Sequence, residues 1–121
     1  MDRLTKSTIR GAYEATGMYP VTGTFQDGHG GGCGMRTFAV ARGMDLNTFI
    51  ADLKMLFGKA YFEGFTSGWD SDKPLEASDE YSLLTRYGPA GFMRYLDGRE
   101  DGRAGRGEAN TLVEQREFVT A

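Results

Sequence analysis

The chain predicts a mainly α fold: a compact bundle of five or six short helices, one extended Gly-rich segment and a mobile C-terminal tail. Three observations carry this expectation. Leu46, Phe49, Ile50, Leu53, Leu56 and Phe57 recur at the spacing of one helix face, and similar stripes run along most of the chain. Eighteen glycines cluster between those stripes and mark tight turns. Two-residue alternation, the mark of a strand, is confined to 18–25.

At 121 residues, with 40% hydrophobic residues, eight Phe and six Tyr, the chain has the size of one domain and material for a core. The expected layout is a helical globular domain over 1–97, a flexible linker over 98–110, and a C-terminal segment, 111–121, that folds back or docks on another chain.

Taken in order, the first helix starts at Thr5, with Leu4 and Ile9 placed as a hydrophobic staple, and it ends at Gly17. It buries Ile9, Ala12, Tyr13 and Thr16. Pro20 forbids helix over the next stretch, where Tyr19, Val21 and Phe25 alternate as an extended segment without an evident strand partner. After the run QDGHGGGCG, a slim helix carries Met35, Phe38, Ala39 and Arg42 on one face and stops at Gly43. Asp45 caps the central helix, Gly58 ends it, and Tyr61, Phe62, Phe65 and Trp69 continue on a second helix. Ser78 can cap a further helix bearing Tyr81, Leu84 and Tyr87. Pro89 fits the first turn of the helix that follows, with Phe92, Met93, Tyr95 and Leu96. From Gly98 to Asn110 no large apolar residue occurs and the charges are mixed, which predicts the linker. Leu112, Val113, Phe118 and Val119 then return apolar character.

Gly64 and Gly68 form a small-xxx-small pair, which permits close helix packing or else weakens the helix end. A short echo links Glu63, Gly64 and Phe65 with Ala90, Gly91 and Phe92. It predicts two similar helices that meet through their glycine faces.

Several function classes are excluded by composition. A net charge of −3 provides no basic footprint for nucleic acid. One cysteine and one histidine leave no Cys/His zinc set and no internal disulfide, so no metal or cofactor is expected. No run approaches the ~18 apolar residues of a membrane span, and the N-terminal stretch lacks the apolar core of a signal peptide. The expectation is a soluble cytoplasmic protein without direct membrane or nucleic-acid contacts.

Cys33 is the sharpest chemical candidate. It stands where a Gly-rich loop enters a helix, and helix N-terminal amides stabilise a thiolate. His29 lies four residues earlier as a base, with Asp27 to orient it. The blander account is a small core cysteine, since free Cys is among the most buried residue types. The amides of 31–35 also offer an anion site. Elsewhere the aromatics concentrate between 61 and 95. Tyr61, Phe65, Trp69, Tyr87 and Tyr95 are the candidate binding residues, because Tyr and Trp are enriched at interfaces. The competing expectation packs all of them in the core.

The function expected is therefore a non-enzymatic protein-interaction module, self-associating as a homodimer, of the kind used as small bacterial or phage inhibitors and adaptors. A small enzyme or anion-ligand-binding protein built on Cys33 is the alternative. An acidic nucleic-acid mimic is a third, weakened by acidic residues scattered among basic ones.

Overall fold

The computed structural model describes residues 3–23 and 31–120, the side chains of 117–120 excepted. Five helices follow one another: α1 (Lys6–Thr16), α2 (Gly34–Ala41), α3 (Leu46–Phe57), α4 (Lys59–Asp70) and α5 (Ala77–Thr120). Two short strands, β1 (Tyr19–Pro20) and β2 (Gly31–Gly32), pair in parallel between α1 and α2, with Tyr19 opposite Gly31 and Pro20 opposite Gly32. The mainly helical class holds.

Helix ends follow local chemistry. Leu4 and Ile9 are fully buried, as a staple requires. The Thr5 side chain makes no cap bond; Thr8 Oγ1 instead donates to the Thr5 carbonyl at 2.9 Å. Gly17 closes α1 at φ 69°, a left-handed conformation that favours glycine. Asp45 caps α3 by accepting from the amides of Asn47 and Thr48 at 3.1 and 3.3 Å. Gly58, at φ 93°, separates α3 from α4. Gly88, at φ 72° and ψ 174°, kinks α5, and Pro89 opens the helix beyond the kink.

The predicted flexible linker is a correction. Residues 98–110 are helical, so α5 runs to 120 instead of stopping at 97. The cause is backbone-to-backbone packing. A Cβ placed on Gly64 or Gly68 of α4 would lie under 3.0 Å from the main-chain carbonyl oxygens of Tyr95 or Arg99. One placed on Gly98 or Gly102 of α5 would strike the Tyr61 or Phe65 carbonyl just as hard. The two helices run parallel and interlock through reciprocal Gly-x-x-x-Gly pairs, a geometry that needs no large side chain at the seam. A helical glycine costs about 1 kcal/mol relative to alanine, and the close approach offsets this through dispersion along the whole contact. The echo between 63–65 and 90–92 marks the wrong partner, because Gly91 meets only its own helix's Tyr87 side chain and the seam is formed by Gly98 and Gly102.

Glycine in the middle of α4 turns its aromatics to one side. Tyr61, Phe65 and Trp69 join Ile9, Tyr13, Met35, Phe38, Phe49 and Leu53 in the main core. Trp69 stacks on Tyr13 with ring centroids 6.1 Å apart and on Phe65 at 5.9 Å. Ala109 and Leu112 of α5 complete that core. The Phe118 and Val119 side chains lie outside the described residues. A second cluster holds Ala60, Leu83 and Tyr95, with Leu75, Tyr87 and Phe92 around it. Here the expected face of 77–87 is shifted by one residue: Leu83 is buried, while Leu84 and Tyr81 are exposed.

Two local expectations also change. Tyr19 points outward, and the extended segment does have a partner, supplied by Gly31–Gly32. Phe25 lies outside the described residues.

The glycine seam yields a paired prediction. Gly68→Ala forces a Cβ against a main-chain carbonyl, which cannot rotate away, and is expected to lower unfolding stability by at least about 2–3 kcal/mol. Gly107→Ala on α5, where a Cβ meets nothing within 4 Å, is expected to raise it by about 0.5–1 kcal/mol. Urea denaturation of both variants checks the contrast.

Candidate functional site

The structure treats the sequence candidates unequally. Asp27 and His29 lie outside the described residues. Cys33 sits at the N-cap of α2 and is 7% exposed. Of the two expectations for Cys33, a reactive thiol and a small core cysteine, this placement fits the second. Burial pushes the Cys33 thiol up from its ordinary value; the backbone amides of Arg36 and Met35 pull it down, and the Asp70 carboxylate adds to the rise. The helix N-terminal effect is present and is outweighed by desolvation. Anion capture at the same loop is opposed by that Asp70 charge.

The candidate binding aromatics are corrected as well. Tyr61, Phe65, Trp69 and Tyr95 are each under a tenth exposed, and so present no docking face. Tyr61 donates to Asp101 at 2.6 Å and accepts from the Leu4 amide at 3.1 Å, tying the N-terminus to α4 and α5. Arg3 closes this network on Asp101 at 3.1 and 3.2 Å. Trp69 Nε1 donates to the Val21 carbonyl at 2.7 Å. Tyr87 is half-buried, donates to Glu63 and stacks on Tyr95. These aromatics hold the fold together.

What the structure does bring together around Cys33 is a cavity of about 340 Å³, near the lower end of ligand-sized pockets. Met35, Phe65 and Trp69 form apolar walls, with Thr66 and Asp70 as the polar groups beside them. Asp70 also accepts from the Gly23 amide at 3.0 Å, which fixes its carboxylate. The sequence leaves Phe65 and Trp69 open to either a binding face or the core. That they line a cavity with Cys33 depends on α2 crossing α4, where a Cβ on Gly34 would clash with the Phe65 ring.

The most exposed large apolar side chains among the described residues lie elsewhere: Met55 (79%) and Leu56 (53%) in the last turn of α3, and Tyr81 (75%) and Met93 (59%) on α5. None is among the candidate binding residues, and the helical spacing puts Leu56 on the apolar stripe of α3. Among the described residues no cluster of His, Cys, Asp and Glu is placed to hold a metal ion, and no helix is long and apolar enough to cross a membrane. No family model, curated protein or solved structure matches the chain.

Burial also sets the pH response. The Cys33 thiol and the Tyr13 and Tyr61 hydroxyls are all pushed up by burial. Each keeps its proton to higher pH in the folded chain than in the unfolded one. Their contribution is whole below the unfolded values, near 9.0 for the thiol and 10.0 for the hydroxyls, and is lost as pH rises beyond them. Stability to urea is therefore expected to fall above pH 9, and Cys33→Ala to remove the first part of that fall. Native Cys33 is expected to resist iodoacetamide at neutral pH and to react fully once unfolded.

Proposed function

We propose that this protein is a non-enzymatic binding module of the cytoplasm that docks on a protein partner, a second copy of itself included. The observation that carries the reading is the exposure of Met55 and Leu56, adjacent in α3, together with Met93 and Tyr81. Large apolar side chains held in water favour association, and methionine is suited to adaptable contacts because its side chain is flexible and polarizable. The raised thiol of Cys33 weighs against a cysteine nucleophile. A single unpaired cysteine suits a reducing compartment. Acidic residues engaged by basic ones, as in Arg10 with Glu14 and Glu108 or Arg106 with Asp72, weigh against a nucleic-acid mimic.

Sedimentation equilibrium tests this reading. The wild-type chain is expected to shift from monomer to dimer with rising concentration, and the Met55→Lys, Leu56→Lys double variant to remain monomeric with an unchanged far-UV spectrum. A wild-type chain that stays monomeric to millimolar concentration, or a double variant that still dimerises, sinks self-association through this surface.

The cavity beside Cys33 favours a second reading, the seating of a small apolar molecule. Trp69 lines that cavity and is the sole tryptophan of the chain, so its emission reports occupancy directly. Saturable quenching or a spectral shift is expected with small aromatic or aliphatic probes. Thr66→Phe, which fills the cavity from its polar side, is expected to abolish it. Equal responses in wild type and variant would discard this reading.

A further inference from the structure

The C-terminal end of α4, the 71–76 connection and the two arms of α5 enclose a groove of about 310 Å³, distinct from the Cys33 cavity. Its walls carry Lys73, Arg86 and Arg99 against the one carboxylate of Asp79, on a chain whose overall charge is −3. A concave site with an excess of positive charge and low-dielectric walls concentrates its field, which favours an anion there even on an acidic chain. We propose that the groove binds a small phosphomonoester.

Arg99 is the anchor. It is 7% exposed, and it donates through one guanidinium nitrogen to Ser67 Oγ at 2.8 Å and through the other to the Lys73 carbonyl. These bonds use two of the five N–H donors and hold the planar fork in one orientation, as oxyanion recognition requires. Arg86 stands on the opposite side with 63% of its side chain exposed and its nearest carboxylate, Glu63, at 3.6 Å. That carboxylate is shared with Lys59 at 3.7 Å and accepts from Tyr87, whose ring centroid lies 5.7 Å from the Arg86 guanidinium, and the exposure of Arg86 keeps it available to a ligand. Asp79 is partly engaged, since it accepts from the Glu76 amide at 3.0 Å. Ser71 and Ser82 add hydroxyls to the same walls.

The non-phosphate half of the ligand follows from the remaining lining. Leu75, Leu83 and Tyr95 make an apolar floor, which suits a phosphate carried on a small apolar or aromatic group. The volume accommodates a single ring with its phosphate.

Amide chemical-shift titrations of the full chain at constant ionic strength test the proposal. Phenyl phosphate is expected to give saturable shifts centred on Ser71, Lys73 and Ser82, and inorganic phosphate the same pattern at lower affinity. Arg86→Gln and Lys73→Ala, both at exposed positions, are each expected to weaken phenyl phosphate about tenfold, the effect of one charge-assisted hydrogen bond. Benzyl alcohol, which lacks the anion, is expected to cause no such shifts. Shifts no larger than those from matched sodium chloride, or equal affinity in both variants and wild type, would overturn it.

Discussion

Everything in this fold depends on α4 and α5 touching through their backbones. Four glycines, Gly64 and Gly68 on one helix and Gly98 and Gly102 on the other, remove the side chains that would hold the axes apart. The seam has no side-chain bulk, so specificity must come from what flanks it. Four arginines of α5 supply this by reaching main-chain carbonyls, Arg94 at that of Phe57 (3.4 Å) among them. Arg99 binds the Lys73 carbonyl, Arg106 the Trp69 carbonyl at 2.9 Å, and Arg116 the carbonyls of Met18 and Tyr13 at 3.0 and 2.6 Å. These carbonyls lie in or just beyond the last turns of α1, α3 and α4, where a cation complements the helix dipole. A composition that resembles a solvated linker is thus a row of glycines facing inward between arginines that close helix ends.

The same constraint explains what could and could not be seen in the sequence. Caps and stops are local chemistry, so Gly17, Asp45, Gly58, Gly88 and Pro89 placed most helix ends within a residue. The 98–110 stretch was missed because hydrophobic periodicity looks for large apolar residues, whereas the inward positions here are Gly98, Gly102 and Gly105. Their spacing of four and three is the signal that was present. Choosing Leu84 over Leu83 was a different failure. A Leu–Leu doublet has two faces of equal hydrophobicity, and only contact with Ala60 and Tyr95 decides between them.

The aromatics were misplaced for a related reason. One helical face cannot carry both a glycine seam and an exposed aromatic stripe. Once Gly64 and Gly68 lie against α5, Tyr61, Phe65 and Trp69 must turn toward α1 and α2, where Tyr13 stacks on the indole. The candidate interface residues became the core, and the cavity beside Cys33 is a consequence of that rotation. A small amphipathic face of Tyr and Trp looks the same in sequence whether its polar atoms meet a partner or, as here, Val21, Leu4 and Asp101.

Cys33 shows how a sound local rule can lose to its surroundings. The N-terminal amides of α2 do lower the thiol, as its position predicted. However, α2 begins against Phe65 and Trp69, so the sulfur that meets those amides also leaves water. Removing a thiolate from solvent costs more than a few oriented amides return, and Asp70 at the cavity wall adds repulsion. The basic groove illustrates the opposite balance. Arg99 is just as buried, but its guanidinium is bonded to Ser67 and to a main-chain carbonyl. Charge persists in the interior where hydrogen bonds replace the lost water. In this chain that condition is met at α5 and not at the cysteine.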